Sequence, residues 1–113
     1  MWLYFDGGFV SIVEDRHSKD LLVRARDRKD LQTFRDFCGI SKRIIETPAN
    51  DYRFRFRATR VEVSHGVAKV ITRIDYPNFK NRVAERHGQQ RAHIYGAVWA
   101  DSNLIDHRRR ARL

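Results

Sequence analysis

The sequence has a single cysteine, Cys38, so no internal disulfide can form, and a reducing cytoplasm is its natural compartment. No apolar run approaches the roughly 18 residues that a spanning helix needs, which argues against a membrane protein. MWLYFDGG carries no basic stretch ahead of an apolar one, so no signal peptide is expected. There is no Walker loop and no dinucleotide fingerprint; Gly7-Gly8 reads as a turn, and no cofactor is expected. The five histidines (His17, His65, His87, His93 and His107) do not pair with Cys38 or with one another at a metal-ligand spacing, so no metal is expected. Internal repeats and low-complexity linkers are absent. Acidic residues are scarce, 14 against 23 basic ones.

What is present is one domain's worth of chain, 113 residues, 42% hydrophobic and 12% aromatic, enough to bury a core. The net charge is +9, and 18 of the basic residues are arginine against five lysines. A guanidinium matches phosphate and carboxylate geometry and stacks on flat groups, whereas an ammonium acts as a point charge. This suits contact with nucleic acid or with an acidic protein face. The plainer reading is a soluble protein from an arginine-rich proteome. Residues 107–113 form a basic tail with Arg108, Arg109, Arg110 and Arg112; without them the balance is 19 to 14, still +5.

Along the chain, WLYF and FVSIV flank Asp6-Gly7-Gly8, a hairpin signal. LLVRAR predicts a third strand. DRKDLQTFRDFCG predicts a helix capped by Asp27, ended by Gly39, with Leu31, Phe34, Phe37 and Cys38 toward the core. ISKRIIETPAND reads as an irregular connection with turns at Thr47-Pro48 and Asn50-Asp51. DYRFRFRATR then gives a fourth strand. Thr59 and Glu62 fit a capping box for a second helix running to about Ile74, burying Val63, Val67, Val70, Ile71 and Ile74. A third helix lies between Asn78 and Gly88, and a fourth runs from about Gln90 to Ile105 with Tyr95, Val98, Trp99 and Ser102 on one side. The sum is a single α+β domain over 1–106. It has a four-stranded, mostly antiparallel sheet, helices packed on one face, a helical second half and a partly ferredoxin-like first part.

In DYRFRFRATR the parity puts Tyr52, Phe54, Phe56 and Ala58 toward the core and Arg53, Arg55 and Arg57 on the other side. If the third and fourth strands are neighbours, Arg24, Arg26, Arg53, Arg55 and Arg57 share a face, with strands about 4.8 Å apart and same-face residues about 6.6 Å apart. Like charges so close call for something negative over them, a phosphate or a partner's carboxylate, with Asp51, Glu14 or Asp15 as internal alternatives. The plainer reading is arginines alternating outward on a half-exposed sheet. An RNA-recognition motif presents aromatics on its open face. Here the aromatics are expected to oppose the arginines, with Trp2 and Tyr4 read as core filling before a stacking platform.

A second basic feature is Lys80, Arg82, Arg86 and Arg91, around a helix whose start at Asn78 could take an anion. It reads equally as a solvated face balanced by Glu85. Tyr76, Lys80, Arg91 and Tyr95 are a candidate protein-contact patch, set against the favoured reading that Phe79, Val83, Tyr95, Val98 and Trp99 lock two helices onto the sheet. His87 or His93, near Asp75 or Glu85, would serve an RNase-like toxin as general base. Cys38 reads as buried and inert.

WLYFDGGFVSIV, LLVRAR, ETPANDYRFRFR and IDYPNFKNRVAERHGQQRAHIYGAVW together resemble a family of small, functionally uncharacterised proteins of bacteria and their phages. That family carries an LVRAR-like strand, an ETPxxDYR turn-and-strand and an IDYxNFKxxVAxRxGxxRAHxYxxVW helical tail. The resemblance covers nearly the whole chain outside residues 14–20 and 27–45. It brings no established activity or site residues. It implies a cytoplasmic protein from a phage or mobile element, in a size class whose members often disable host machinery, CRISPR nucleoprotein complexes included.

The function expected from the sequence is therefore a non-enzymatic basic binding module. It would recognise nucleic acid or a nucleoprotein complex through Arg24, Arg26, Arg53, Arg55 and Arg57, helped by Lys80, Arg82 and Arg86. The runner-up is a phage-derived, anti-CRISPR-like inhibitor docking on a host defence protein; the third reading is the RNase-like toxin.

Overall fold

The structure is a computed structural model that describes residues 1–106 and 108. The basic tail, Arg108 apart, lies outside the described residues. The chain divides into two compact units, Met1–Asp75 and Tyr76–Leu113.

The first unit is α+β. Its strands are β1 (Trp2–Phe5), β2 (Gly8–Glu14), β3 (Leu21–Ala25), β4 (Ile45–Glu46) and β5 (Phe54–Ala58), and its helices are α1 (Arg28–Cys38) and α2 (Arg60–Thr72). The sheet has five strands, not four, in the order β1-β2-β3-β5-β4 with every neighbouring pair antiparallel. The added strand, β4, is two residues long and lies inside the stretch expected to be irregular. It is too short to show a period, and only pairing with β5 makes it a strand. The ferredoxin-like comparison also fails: β1, β2 and β3 are a consecutive meander rather than a split βαβ unit.

The period of two along each strand sorts the side chains. Phe5, Val10, Ile12, Val23, Ala25, Phe56 and Ala58 are buried on one face, where α1 lays Leu31, Phe34 and Cys38. Phe5 meets Phe34 edge-on at 6.1 Å. Helix α1 begins where the Asp27 side chain accepts from the Lys29 N–H at 2.8 Å and ends on Gly39 at φ 70°. Asp30 does more than sit in the first turn: it is buried and accepts from the Phe9 N–H at 3.0 Å, tying α1 to the hairpin.

The capping box of Thr59 and Glu62 starts α2. This helix packs on α1 through Val63, Gly66, Val67 and Val70, the i, i+3, i+4, i+7 stripe. Gly66 is there for close approach, since a Cβ on it would lie 2.4 Å from Cys38 Sγ. Ile71 and Ile74, expected to be buried, are exposed: Ile71 lies at the edge of this stripe in the last turn and Ile74 beyond the helix end.

The second unit holds α3 (Phe79–His87), α4 (Gln89–Ser102) and a 3-10 turn (Asn103–Ile105). Asn78 caps α3, its side chain accepting from the Asn81 N–H at 2.9 Å, and Gly88 ends it. The stacked rings of Phe79 and Tyr95, 5.9 Å apart, join α3 to α4. Val98 and Trp99, expected to face inward, are exposed.

Candidate functional site

The face of the sheet opposite the core carries the arginines, and the strand register arranges them in rows. Trp2 pairs with Ser11, Ser11 with Arg24, and Arg24 with Arg55, one row crossing four adjacent strands. Ile45 of β4 closes it beside Arg55. On one side of this row Leu22 pairs with Arg57; on the other Tyr4 pairs with Phe9. Between the strands and the segments 14–17 and 49–52 lies a groove of about 810 Å³, lined by Arg24, Arg55, Arg57 and Tyr52 among others.

The five arginines are not equivalent. Arg57 Nε donates to Asp15 Oδ1 at 3.2 Å, and the buried Asp15 also accepts from Ser18 Oγ at 3.0 Å. Burial pushes the Asp15 carboxyl up, but the Ser18 hydroxyl and the Arg57 guanidinium outweigh it and hold it below the usual carboxylate range. Arg53 leaves the grid altogether: its guanidinium sits 2.6 Å from Glu46 Oε1 at the edge formed by β4. Arg26 donates to the Asp51 carbonyl at 3.0 Å. Arg24 donates from Nη2 to Ser11 Oγ at 2.9 Å, and Arg55 from Nη2 to the Tyr52 carbonyl at 3.2 Å.

Arg24 and Arg55 thus have only neutral acceptors. No carboxylate among the described residues makes an ion pair with either of them. The Nε of each is covered and without a hydrogen-bond partner. Burial, followed by the charges of Arg24 and Arg57, lowers the pKa of Arg55. Two like charges directly opposite on antiparallel strands destabilise the sheet. Leaving their donors unmet adds a cost of about 1–3 kcal/mol for each such group.

Tyr52 corrects the expected parity. It precedes β5, which starts at Phe54, so the alternation does not reach it. Its ring lies on the arginine side, 4.6 Å from Arg24 Cζ and 4.8 Å from Arg26 Cζ. The turn signal at Asn50-Asp51 was the clue that the strand starts later. Trp2 and Tyr4 are also not core residues. Trp2 is 66% exposed and meets Phe9 edge-on at 6.3 Å, while Tyr4 stacks on Phe9 at 4.3 Å. Burial, with a smaller push from Tyr52, raises the Tyr4 pKa against the pull of Arg26. The open face therefore combines arginines with aromatic rings. Ser11 and Phe9 are also part of it; their alternation with the buried Val10 and Ile12 along β2 is the sequence signal, and the register with β3 brings Ser11 beside Arg24.

The remaining sequence candidates lie on the second unit. Arg82 pairs with Glu85 at 3.5 Å and lies 5.0 Å from the Tyr76 ring. Arg91 donates to the Tyr95 hydroxyl at 3.1 Å. Tyr95 is buried, so it joins helices rather than offering a contact. Lys80 Nζ is 4.6 Å from the Trp99 ring beside a second groove of about 560 Å³ that His93 also lines. Arg86 is exposed on α3. Among the described residues no group of three His, Cys, Asp or Glu side chains could hold a metal ion, and no helix is long and apolar enough to cross a membrane. Burial pushes the Cys38 thiol up to about 11.

Comparison of the chain with protein families, with curated proteins and with solved structures finds no match.

Proposed function

We propose that this protein binds nucleic acid through the open face of its sheet, with Arg24 and Arg55 as the central phosphate contacts. One observation carries the reading: two guanidiniums stand opposite each other in a groove, each without a carboxylate partner among the described residues. A phosphodiester supplies the missing negative charge, and guanidinium forks fit it. Arg26 and Arg57 flank the pair and add to the field, Arg57 in part neutralised by Asp15. The surplus of basic residues favours a polyanion over a single small anion. Contacts to backbone rather than base edges imply weak sequence preference.

The experiment is a titration of labelled single- and double-stranded DNA and RNA across salt concentrations. Log affinity should fall linearly with log salt, and Arg24→Ala with Arg55→Ala, in a protein that still melts cooperatively, should flatten the slope by about two units. No binding even at low salt overturns the reading. A carboxylate-rich protein surface then becomes the partner to seek, as the resemblance to small phage proteins suggests, by capture that survives nuclease digestion.

A further inference from the structure

We infer that the nucleic acid this face takes is single-stranded, with one phosphate held across Arg24 and Arg55 and a neighbouring base stacked on Trp2. This rests on the phosphate-binding reading and adds the form of the ligand. Trp2, Ser11, Arg24 and Arg55 occupy one row of the sheet. Trp2 is two strand spacings, about 10 Å, from Arg24, a span that the sugar and base of an adjacent nucleotide bridge.

The indole is exposed, with one ring beside it. Phe9 props it edge-on with an interplanar angle of 88°, and Phe9 is itself stacked on Tyr4 at 11°. The Phe9 edge limits the positions open to the indole, which lowers the ordering cost when a base covers it. An aromatic face accepts any base, consistent with backbone-led binding. Tyr52 has a different part. Its ring is already occupied by Arg24 and Arg26, so it is a positioning residue that holds the guanidiniums over the sheet.

The groove that holds Arg24 and Arg55 does not include Trp2, so the ligand extends from it along the row of the sheet, past Ser11, to reach the indole. In a duplex the bases are already stacked and paired, and Trp2 would meet only sugar and phosphate.

The test uses the full chain carrying Trp99→Phe, which leaves Trp2 as the only tryptophan. Short labelled oligo(dT), oligo(U) and a duplex of equal length are titrated at low salt, following Trp2 emission and oligomer anisotropy together. The inference expects single strands to quench Trp2 and bind more tightly than the duplex, with the tighter of the two naming DNA or RNA. Trp2→Ala, at an exposed position, should then weaken single-strand binding about tenfold and leave duplex binding unchanged. Single-strand binding without quenching, unaffected by Trp2→Ala, overturns the stacking inference and leaves phosphate binding standing. Equal affinity for duplex and single strand does the same. Absence of binding to all three overturns both.

Discussion

Arg24 and Arg55 stand directly opposite each other across β3 and β5, each hydrogen-bonded only to a neutral oxygen, Ser11 Oγ or the Tyr52 carbonyl. Their mutual repulsion is an unrelieved cost in the free protein, and an anion placed over both relieves it. Pyrophosphate should therefore stabilise the folded state by mass action, by about 2.7 kcal/mol at one hundred times its dissociation constant. Differential scanning fluorimetry should show the melting temperature rising by several degrees. Arg24→Gln with Arg55→Gln should abolish that rise; an equal rise in the double variant would place the anion elsewhere.

Arg53 belongs to the same sequence pattern but not to the same site. Glu46 neutralises it at the sheet edge. Arg53→Ala should change nucleic-acid affinity by no more than about twofold, whereas Arg24→Ala or Arg55→Ala should each flatten the salt dependence by about one unit. A loss at Arg53 equal to that at Arg55 would mean the Glu46 pair opens on binding.

Asp15 links stability to pH and sets the charge that Arg57 presents. Its carboxyl pKa is depressed in the folded state, so the stability it contributes is present above the ordinary carboxylate value, about 3.9, and is lost as pH falls through the folded value. Asp15→Asn should lower the melting temperature at pH 7, with the difference from the parent shrinking below about pH 4. The same substitution releases Arg57 into the groove and should tighten nucleic-acid binding at low salt. A stability difference that persists unchanged at pH 3 would show that the ion pair is not its source.

Gly66 of α2 lies against Cys38 of α1, with no room for a side chain between them. Gly66→Ala should cost about 1–3 kcal/mol in chemical denaturation because the added methyl meets a sulfur inside a packed core. Cys38→Ala in that background should recover part of the loss, and a double-mutant cycle measures the coupling. With its thiol pushed up to about 11 and buried, Cys38 should react with a thiol reagent at neutral pH only as the protein unfolds.

Much of the local structure was written in the sequence. Asp27 and Gly39 bound α1, Thr59 and Glu62 open α2, and Asn78 and Gly88 bound α3, because caps and stops act through neighbouring residues. The two faces of β3 and β5 also followed from period-two alternation, which placed Arg24, Arg55 and Arg57 away from the core. Alternation misled at Tyr52, where a turn precedes the strand, and at Trp2 and Tyr4, where hydrophobic character suggested burial.

Composition and pattern determined the α+β class, the basic charge and which side of each strand meets the core, since these depend on residue type and short-range spacing. Only the tertiary structure decided which arginines keep their charge free of carboxylates. Arg53 met Glu46 through the pairing of β4 with β5, and Arg57 met Asp15, 42 residues away in sequence. Arg24 and Arg55 met each other through the register of β3 and β5, with Trp2 and Tyr52 on the same face. Pairing across the sheet is set by the cooperative packing of the whole core, and no local pattern carries that information.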